Sequence, residues 1–266
     1  QATLKQYLFK GGKTINTLLM NKSKLEVAKA ILDKTKLETI LNLKKAFYTL
    51  LLANEFSGLN KSISDNSQQH LDSLKERYNN GQVSESDILQ IESSLESVRQ
   101  ACESSLNQVE SARILLVNLL FLDKDVMIKP NAQLIYEPRE IAIDEAILKA
   151  MKDRPEIRQY ELQEKVDKKA IEIAKADNRP SIYASWDYYT RSTASLTFSP
   201  GKAWNDYSII GFTFSWPIFD GFATKAKVEQ AIVDLKETRL LKEKTINDIV
   251  LEVKNAYLAL KNAIAK

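Results

Sequence analysis

The sequence predicts a mainly α-helical chain in which long antiparallel coiled-coil helices surround one β-hairpin. Three observations indicate this fold class. All six prolines lie between Pro130 and Pro217, and because proline breaks helix interiors, the segments on either side can form long helices. Residues 82–121 carry a heptad repeat of apolar side chains, which is typical of supercoiled helices. Residues 181–197 and 207–216 alternate between apolar and polar side chains, as strands do.

The first long helix is predicted over residues 13–77. Paired apolar residues such as Leu50 and Leu51 give it a wide apolar stripe, so we expect neighbours on two sides. The polar stretch 57–60 is the point at which this helix is expected to bend or break. The turn 78–81 ends in Gly81 and joins it to a second helix, about 82–121, which the short connection makes antiparallel to the first.

The second helix has two seam positions per heptad. Cys102 falls on this seam, where we expect a buried, small apolar residue. The sustained seven-residue period predicts a left-handed supercoil. The first seam position holds Ile88, Leu95, Cys102, Val109 and Leu116, and the second holds Ile91, Val98, Ser105, Ala112 and Leu119.

The middle of the chain is broken by its prolines. Residues 123–143 are predicted to be irregular and to lead into a short helix at about 143–153. Pro155 suits the first turn of a third long helix, about 156–178, which ends at Pro180. After the second strand, the segment Trp216-Pro217-Ile218-Phe219-Asp220-Gly221 begins a last helix.

The two strands of the hairpin place large apolar side chains on one face. Each strand is long enough to cross a bilayer, which takes about 9–11 tilted residues. The alternative, the inside of a soluble sheet, would require an apolar layer to cover this face. Asp187 and Arg191 lie on the opposite face, which would be the lumen of a barrel. Two strands cannot close a barrel, so further strands are required. The residues expected to face lipid are Ile182, Trp186, Tyr188, Ile210, Phe212, Phe214 and Trp216.

An internal repeat relates the two ends of the chain. Ile218-Phe219-Asp220-Gly221 aligns with Leu8-Phe9-Lys10-Gly11, at an offset of about 210 residues by sequence position. The same offset places residues 253–257 on residues 43–47 without a gap. We therefore predict a duplicated unit of strand, sharp exit and long helix; the alternative is two similar amphipathic helices.

Several functional classes are excluded by composition. The net charge of +3 is balanced, and no basic cluster interleaves with aromatic residues, which argues against nucleic acid as a partner. One Cys and one His leave no metal or nucleophile pattern, and no phosphate-binding loop occurs. We expect no enzyme activity, no metal and no cofactor. No run of about 18 apolar residues indicates a spanning helix.

These motifs, in this order and spacing, resemble the TolC family of outer-membrane efflux proteins. The resemblance covers essentially the whole chain, which would be truncated at both ends relative to the family. Four segments carry it: Asp153-Arg154-Pro155-Glu156, Asp177-Asn178-Arg179-Pro180-Ser181, residues 216–221, and residues 77–87 around the turn between the first two long helices.

The resemblance implies a homotrimer of full-length chains that share one transmembrane β-barrel above a helical tunnel. It implies the end of a first β-hairpin at 1–9, a long helical hairpin of the periplasmic tunnel at 10–122 and an equatorial insert at 123–154. A tunnel helix would follow at 155–179, a transmembrane β-hairpin at 180–217 and the start of a second-repeat long helix at 218–266. The protein would sit in the outer membrane of a Gram-negative bacterium, in contact with its lipid, with helices in the periplasm.

The implied function is a passive exit duct for a tripartite efflux or type I secretion system. Its partners would be a periplasmic adaptor and an inner-membrane transporter. The adaptor would dock on the tip formed by Asn80, Gly81, Gln82, Val83 and Ser84. Arg77 and Asp87 are candidates for the links that hold the tip shut, although Asp87 also suits a helix cap. The alternative is a periplasmic adaptor or coiled-coil scaffold without a channel.

Overall fold

A computed structural model describes residues 1–123, 126–128, 130–132, 134–135, 141–192 and 204–265. The hairpin loop around Pro200 and parts of the expected equatorial insert lie outside the described residues. The elements in chain order are β1 (Ala2–Lys10), α1 (Lys13–Asn79), α2 (Glu85–Leu119), α3 (Ile143–Asp153), α4 (Pro155–Ala176), β2 (Ser181–Ser192), β3 (Trp204–Ser215) and α5 (Ala223–Ile264). The predicted fold class, mainly helical with a β-hairpin, is confirmed.

The hairpin belongs to a three-stranded antiparallel sheet in the order β1-β2-β3. The third strand, β1, lies where the resemblance implied the end of a first hairpin at 1–9. In the described part of the chain, β2 is central, and β1 and β3 each keep one edge without a partner strand. Such edges offer unpaired backbone donors and acceptors to a further strand.

Helix α1 continues through residues 57–60, so the expectation of a break at this point was wrong. Gly58 lies within the helix, and the Ser62 hydroxyl donates to its carbonyl oxygen at 3.1 Å. A glycine costs only about 1 kcal/mol relative to alanine inside a helix. Residues buried on both sides of Gly58, such as Ala53 and Leu71, offset this local penalty because helix stability in proteins comes mostly from packing.

Two compact units divide the chain. The first comprises residues 1–34 and 141–266, and the second comprises residues 35–140. In the first unit, α5 packs against both α4 and α3. The buried carboxylate of Asp167 on α4 accepts a hydrogen bond of 2.6 Å from the Thr238 hydroxyl on α5. A second hydrogen bond comes from Gln163, so each oxygen of this buried carboxyl group has a donor.

The second unit is built on α2 packed antiparallel to the later part of α1. Lys75 pairs with Glu92 at 2.8 Å, and Arg99 donates to the Gln68 side chain at 2.8 Å. A buried apolar cluster joins the two helices and comprises Ala46, Leu50, Ala53, Ala112 and Leu116.

The predicted seam of α2 is buried at Leu95, Ser105, Ala112 and Leu116. Cys102 is only partly buried, so the expectation of full burial was wrong. Its backbone carbonyl accepts a 2.6 Å hydrogen bond from the Ser105 hydroxyl. Val117 is buried although it lies beside the predicted seam, which indicates that the packed face of α2 is wider near its end.

The internal repeat has a counterpart in backbone geometry. Helices α1 and α5 begin at Lys13 and Ala223, which are related by the sequence offset. Two consecutive residues with positive φ precede each helix: Gly11 and Gly12 at 57° and 85°, and Gly221 and Phe222 at 64° and 66°. The same sharp exit therefore starts both long helices, even though Phe222 replaces a glycine.

Candidate functional site

The sheet has one strongly apolar face. Its register pairs Trp186 with Ile210, Ala184 with Phe212 and Ile182 with Phe214, and paired residues share a face. Phe212 is 75% exposed and Ile210 is 73% exposed. Ile182 and Tyr188, also predicted to face lipid, lie on the same face and are partly buried. Trp216 follows β3 directly and is exposed. The register therefore brings the predicted strand residues together on one face.

A β-bulge in β1 decides which face its last residues join. Tyr7 pairs with Tyr183, and Phe9 pairs with the adjacent residue Ile182, so Leu8 is an extra residue in β1. If β1 instead continued as a regular strand through Leu8, strict alternation would put Phe9 on the polar face and Lys10 on the apolar face. The extra residue places Phe9 with Ile182 and returns Lys10 to the polar face.

The opposite face of the sheet is polar and aromatic. The Thr3 hydroxyl donates to Asp187 Oδ1 at 2.7 Å. The Lys5 ammonium lies 3.6 Å from the ring centroid of Tyr183, and the Tyr7 and Tyr183 rings are 5.5 Å apart. These contacts join β1 to β2 on the face that the sequence assigned to a lumen.

Asp187 and Arg191, the two predicted lumen residues, both belong to this polar face by register. Asp187 pairs with Thr3 on β1 and with Ile209 on β3. Arg191 pairs through its backbone with Asn205, and its side chain lies outside the described part of the structure. Their role in a lumen remains a prediction.

The predicted tip begins where α1 is terminated by a C-terminal cap at Gly81. The Gly81 N–H donates to the Tyr78 carbonyl at 2.8 Å, and the Gln82 N–H donates to the Arg77 carbonyl at 3.0 Å. This pair of bonds is a Schellman motif, which needs a left-handed residue, and Gly81 has φ of +73°. Among the described residues, no heavy atom lies within 4 Å of a Cβ built on Gly81, so the backbone conformation is what favours glycine here. Asn80, Gly81, Gln82 and Ser84 are exposed, and Val83 is partly buried.

Asp87 completes a capping box at the start of α2. The Ser84 hydroxyl and amide donate to Asp87 Oδ2 at 2.7 Å and 3.0 Å, and the Asp87 amide donates back to the Ser84 hydroxyl at 3.3 Å. The Ser84 hydroxyl, followed by its amide, holds the pKa of Asp87 below its usual value. The carboxylate is therefore ionised at neutral pH and lies beside the positive end of the helix dipole.

The other gate candidate, Arg77, is exposed and accepts a hydrogen bond through its carbonyl. No ion pair joins Arg77 to Asp87 within the described residues. The structure thus accounts for Asp87 as a cap, and a link from either residue to another chain remains a prediction.

A charged junction lies where the sheet meets the helices, and the sequence motifs did not reveal its geometry. Asp177, just after α4, pairs with Lys13 of α1 at 2.6 Å and with Lys227 of α5 at 3.3 Å. The hydrogen bond from Lys13, and then that from Lys227, keep the pKa of Asp177 below its usual value. One carboxylate therefore connects the N-terminal parts of both repeat helices.

Arg179 fixes the strand-to-helix exit beside this junction. Its Nη1 donates to the Gly11 carbonyl at 3.1 Å, and its Nη2 lies 3.3 Å from Glu172. A Cβ on Gly11 would lie 2.5 Å from Arg179 Cβ and 3.0 Å from the Ala176 carbonyl oxygen. Close approach and a φ of +57° both require glycine at this position.

Arg154 joins the start of α4 to α5. It pairs with Glu252 at 2.8 Å and with Glu156 at 3.4 Å. The hydrogen bond to Glu252 raises the pKa of Arg154 above its usual value. Pro155 is buried at the first position of α4. The Asp153-Arg154-Pro155-Glu156 motif therefore starts α4 and, through Arg154, connects it to α5.

The described residues contain no group of three or more His, Cys, Asp or Glu side chains that could hold a metal ion. None of the described helices combines the length and the apolar character that crossing a membrane requires.

A model of the outer membrane efflux protein family matches residues 1–120 and 146–266. The chain belongs to this family. The resemblance stated from the sequence motifs is thereby confirmed. The family description names an outer membrane protein of efflux rather than an enzyme, in agreement with the expected location, transport role and lack of enzyme activity.

Solved structures of this kind share the fold at low sequence identity. A membrane protein from Pseudomonas aeruginosa has a TM-score of 0.79 at 19% identity, covering 92% of this chain and 57% of its own. The outer membrane protein VceC from Vibrio cholerae has a TM-score of 0.79 at 16% identity, with 97% and 61% covered. The CmeC outer membrane channel of Campylobacter jejuni has a TM-score of 0.73 at 20% identity, with 99% and 57% covered.

The chain spans about 57–61% of the length of these solved structures. The comparison with curated proteins gave no match.

Proposed function

We propose that the full-length protein is a subunit of an outer-membrane channel-tunnel, the passive exit duct of a tripartite efflux or type I secretion system. The observation that carries this proposal is the two-faced sheet. One face exposes Ile210, Phe212 and Phe214, and the other holds Asp187, Lys5 and Tyr183. An apolar outside and a polar inside are what a transmembrane barrel requires.

The unpaired edges of β1 and β3 support assembly with further strands. An open sheet edge is not tolerated in hydrocarbon, because its backbone N–H and C=O groups would have no partner. The remaining strands would come from the rest of the full-length chain and from other copies of it. A homotrimer around one shared barrel meets this requirement.

Unpartnered apolar side chains on the helices support the same assembly. On α1, Leu18, Leu25 and Leu32 are each at least half exposed, and on α5 Leu251 and Leu258 are also more than half exposed. Exposed apolar patches of this kind mark contact surfaces. Neighbouring helices of a tunnel, in the same and in adjacent protomers, would cover them in the periplasm.

The tip of residues 80–84 is proposed to dock the hairpin of a periplasmic adaptor, which links the duct to an inner-membrane transporter. A small, exposed turn that contains Gly81 lets another helical tip approach closely. The transporter supplies the energy, and the duct opens by untwisting of the coiled helices at the tip. The barrel stays open throughout.

The alternative of an adaptor or scaffold without a channel is less well supported. It leaves the exposed apolar face of the sheet without a role. The family match also favours an outer membrane efflux protein.

Bilayer conductance of the detergent-solubilised full-length protein tests the channel proposal. We expect a trimer by light scattering and stepwise ion conductance after insertion into a planar bilayer. A monomer that inserts without conductance would exclude a duct.

A further inference from the structure

We propose that Lys5 and Lys10 form a cationic patch on the water-facing side of the sheet that favours the passage of anions. The inference rests on the proposed channel function and adds a class of solute to it. Rings of lysine or arginine side chains select anions in pores, and substitutions on a barrel's lumen face tune selectivity.

The bulge at Leu8 places both lysines on the same face. Lys5 pairs with Ser185 and Lys10 pairs with Ser181, and both serines lie on the polar side of β2. In regular alternation, residues five apart would lie on opposite faces. The extra residue therefore doubles the positive charge that β1 presents to the polar side.

The ammonium groups are held in place by aromatic rings. The Lys5 ammonium lies 3.6 Å from the Tyr183 centroid and 5.1 Å from the Tyr7 centroid. The Lys10 ammonium lies 3.6 Å from the Tyr7 centroid, so both charges contact one ring. A cation–π contact is worth about 0.5–1 kcal/mol at an exposed site, and it fixes a charge without neutralising it.

No carboxylate of the described residues pairs with either lysine. Asp187 is the acidic residue of this face in the described strands, and Thr3 donates to its Oδ1. On this face of the described strands, the two ring-held lysines therefore outnumber the one acidic side chain. Repetition around a closed barrel would give a ring of positive charge along the lumen wall.

The test compares ion selectivity of the full-length protein with that of Lys5→Gln/Lys10→Gln in planar bilayers. Reversal potentials in a KCl gradient give the ratio of chloride to potassium permeability. We expect the double variant to lower this ratio at least twofold near 0.1 M salt. The difference should shrink near 1 M, where the screening length falls from about 10 Å to about 3 Å.

The matched control is Lys5→Arg/Lys10→Arg, which keeps both charges and the ring contacts and should keep the wild-type ratio. An unchanged ratio in the glutamine variant, with normal conductance, overturns the anion patch and leaves the duct standing. Absence of conductance in the wild-type protein overturns both. If the double variant does not assemble, Lys5→Gln and Lys10→Gln are measured singly, and an unchanged ratio in both overturns the inference.

Discussion

Gly11 shows how a single residue sets the exit from strand to helix. Its positive φ and its contact with Arg179 leave no room for a side chain. Gly58 instead lies inside α1, and no heavy atom of the described part of the chain lies within 4 Å of a Cβ built on it. The two glycines thus differ in what they require, although the sequence shows the same residue at both positions.

Gly11→Ala should destabilise the full-length protein by about 2–4 kcal/mol, since left-handed backbone costs about 1–2 kcal/mol and overlap adds a similar amount. The matched control, Gly58→Ala, should stabilise α1 by about 0.5–1 kcal/mol. Guanidinium unfolding midpoints followed by circular dichroism measure both changes. Equal midpoints for Gly11→Ala and the wild type would contradict the assigned contact.

The ion pairs of Asp177 could not be predicted from the sequence, because they join residues that are far apart in the chain. The motif Asp177-Asn178-Arg179-Pro180 was recognised as a marker, but Lys13 lies 164 residues away and Lys227 lies 50 residues away. Local pattern carries no information on such distant pairs. Lysines are also abundant in both helices, so nothing distinguishes these two before the fold is known.

Two roles are proposed for Asp87 at the tip between α1 and α2. Its carboxylate caps α2 through Ser84, and the family resemblance implies a second role in a link that would hold the tip shut. A cap needs a hydrogen-bond acceptor, whereas an ionic link needs the negative charge. The two roles therefore respond differently to substitution.

We predict that Asp87→Asn raises the resting conductance of the full-length channel several-fold, because it removes the charge and keeps an acceptor for the cap. Ser84→Ala keeps the charge, costs about 1 kcal/mol of cap stability and should change conductance less than twofold. Single-channel recording gives both values. Similar conductance increases in the two variants would assign Asp87 to capping alone.

The helices were predictable within a few residues because proline, glycine and heptad signals agree with one another. Strand β1 was recognised only through the family resemblance, as the end of a first β-hairpin at 1–9. Its residues alternate from Ala2 to Tyr7, and the extra Leu8 then breaks the period, so the pattern is too short to indicate a full strand. The uninterrupted course of α1 was missed because a local breaker, Gly58, was given more weight than its helical surroundings.

Cysteine crosslinking at Val83 tests the proposed docking of a periplasmic adaptor on the tip. The exchange is made in a Cys102→Ala background, since Cys102 is only partly buried. Val83→Cys should crosslink to a cysteine at the hairpin tip of the cognate adaptor. Gly81 is a poorer position, because its φ of +73° strains any side chain.

Asn66→Cys is the control for this experiment. It is exposed on α1, some 20 Å before the tip at a rise of about 1.5 Å per residue, and it should remain unlinked. Crosslinking at both positions to the same extent, or at neither while a disulfide control forms, would remove adaptor docking from the proposal.

The bulge also determines where β1 tolerates changes in length during evolution. Tyr7 and Phe9 already pair with neighbouring residues of β2, so a lineage that lost Leu8 would regain a regular ladder and leave every other side chain on its present side. Loss of any single residue between Thr3 and Gln6 would instead invert the preceding part of the strand. Homologues of different length in this strand should therefore differ at Leu8 before they differ anywhere else in it.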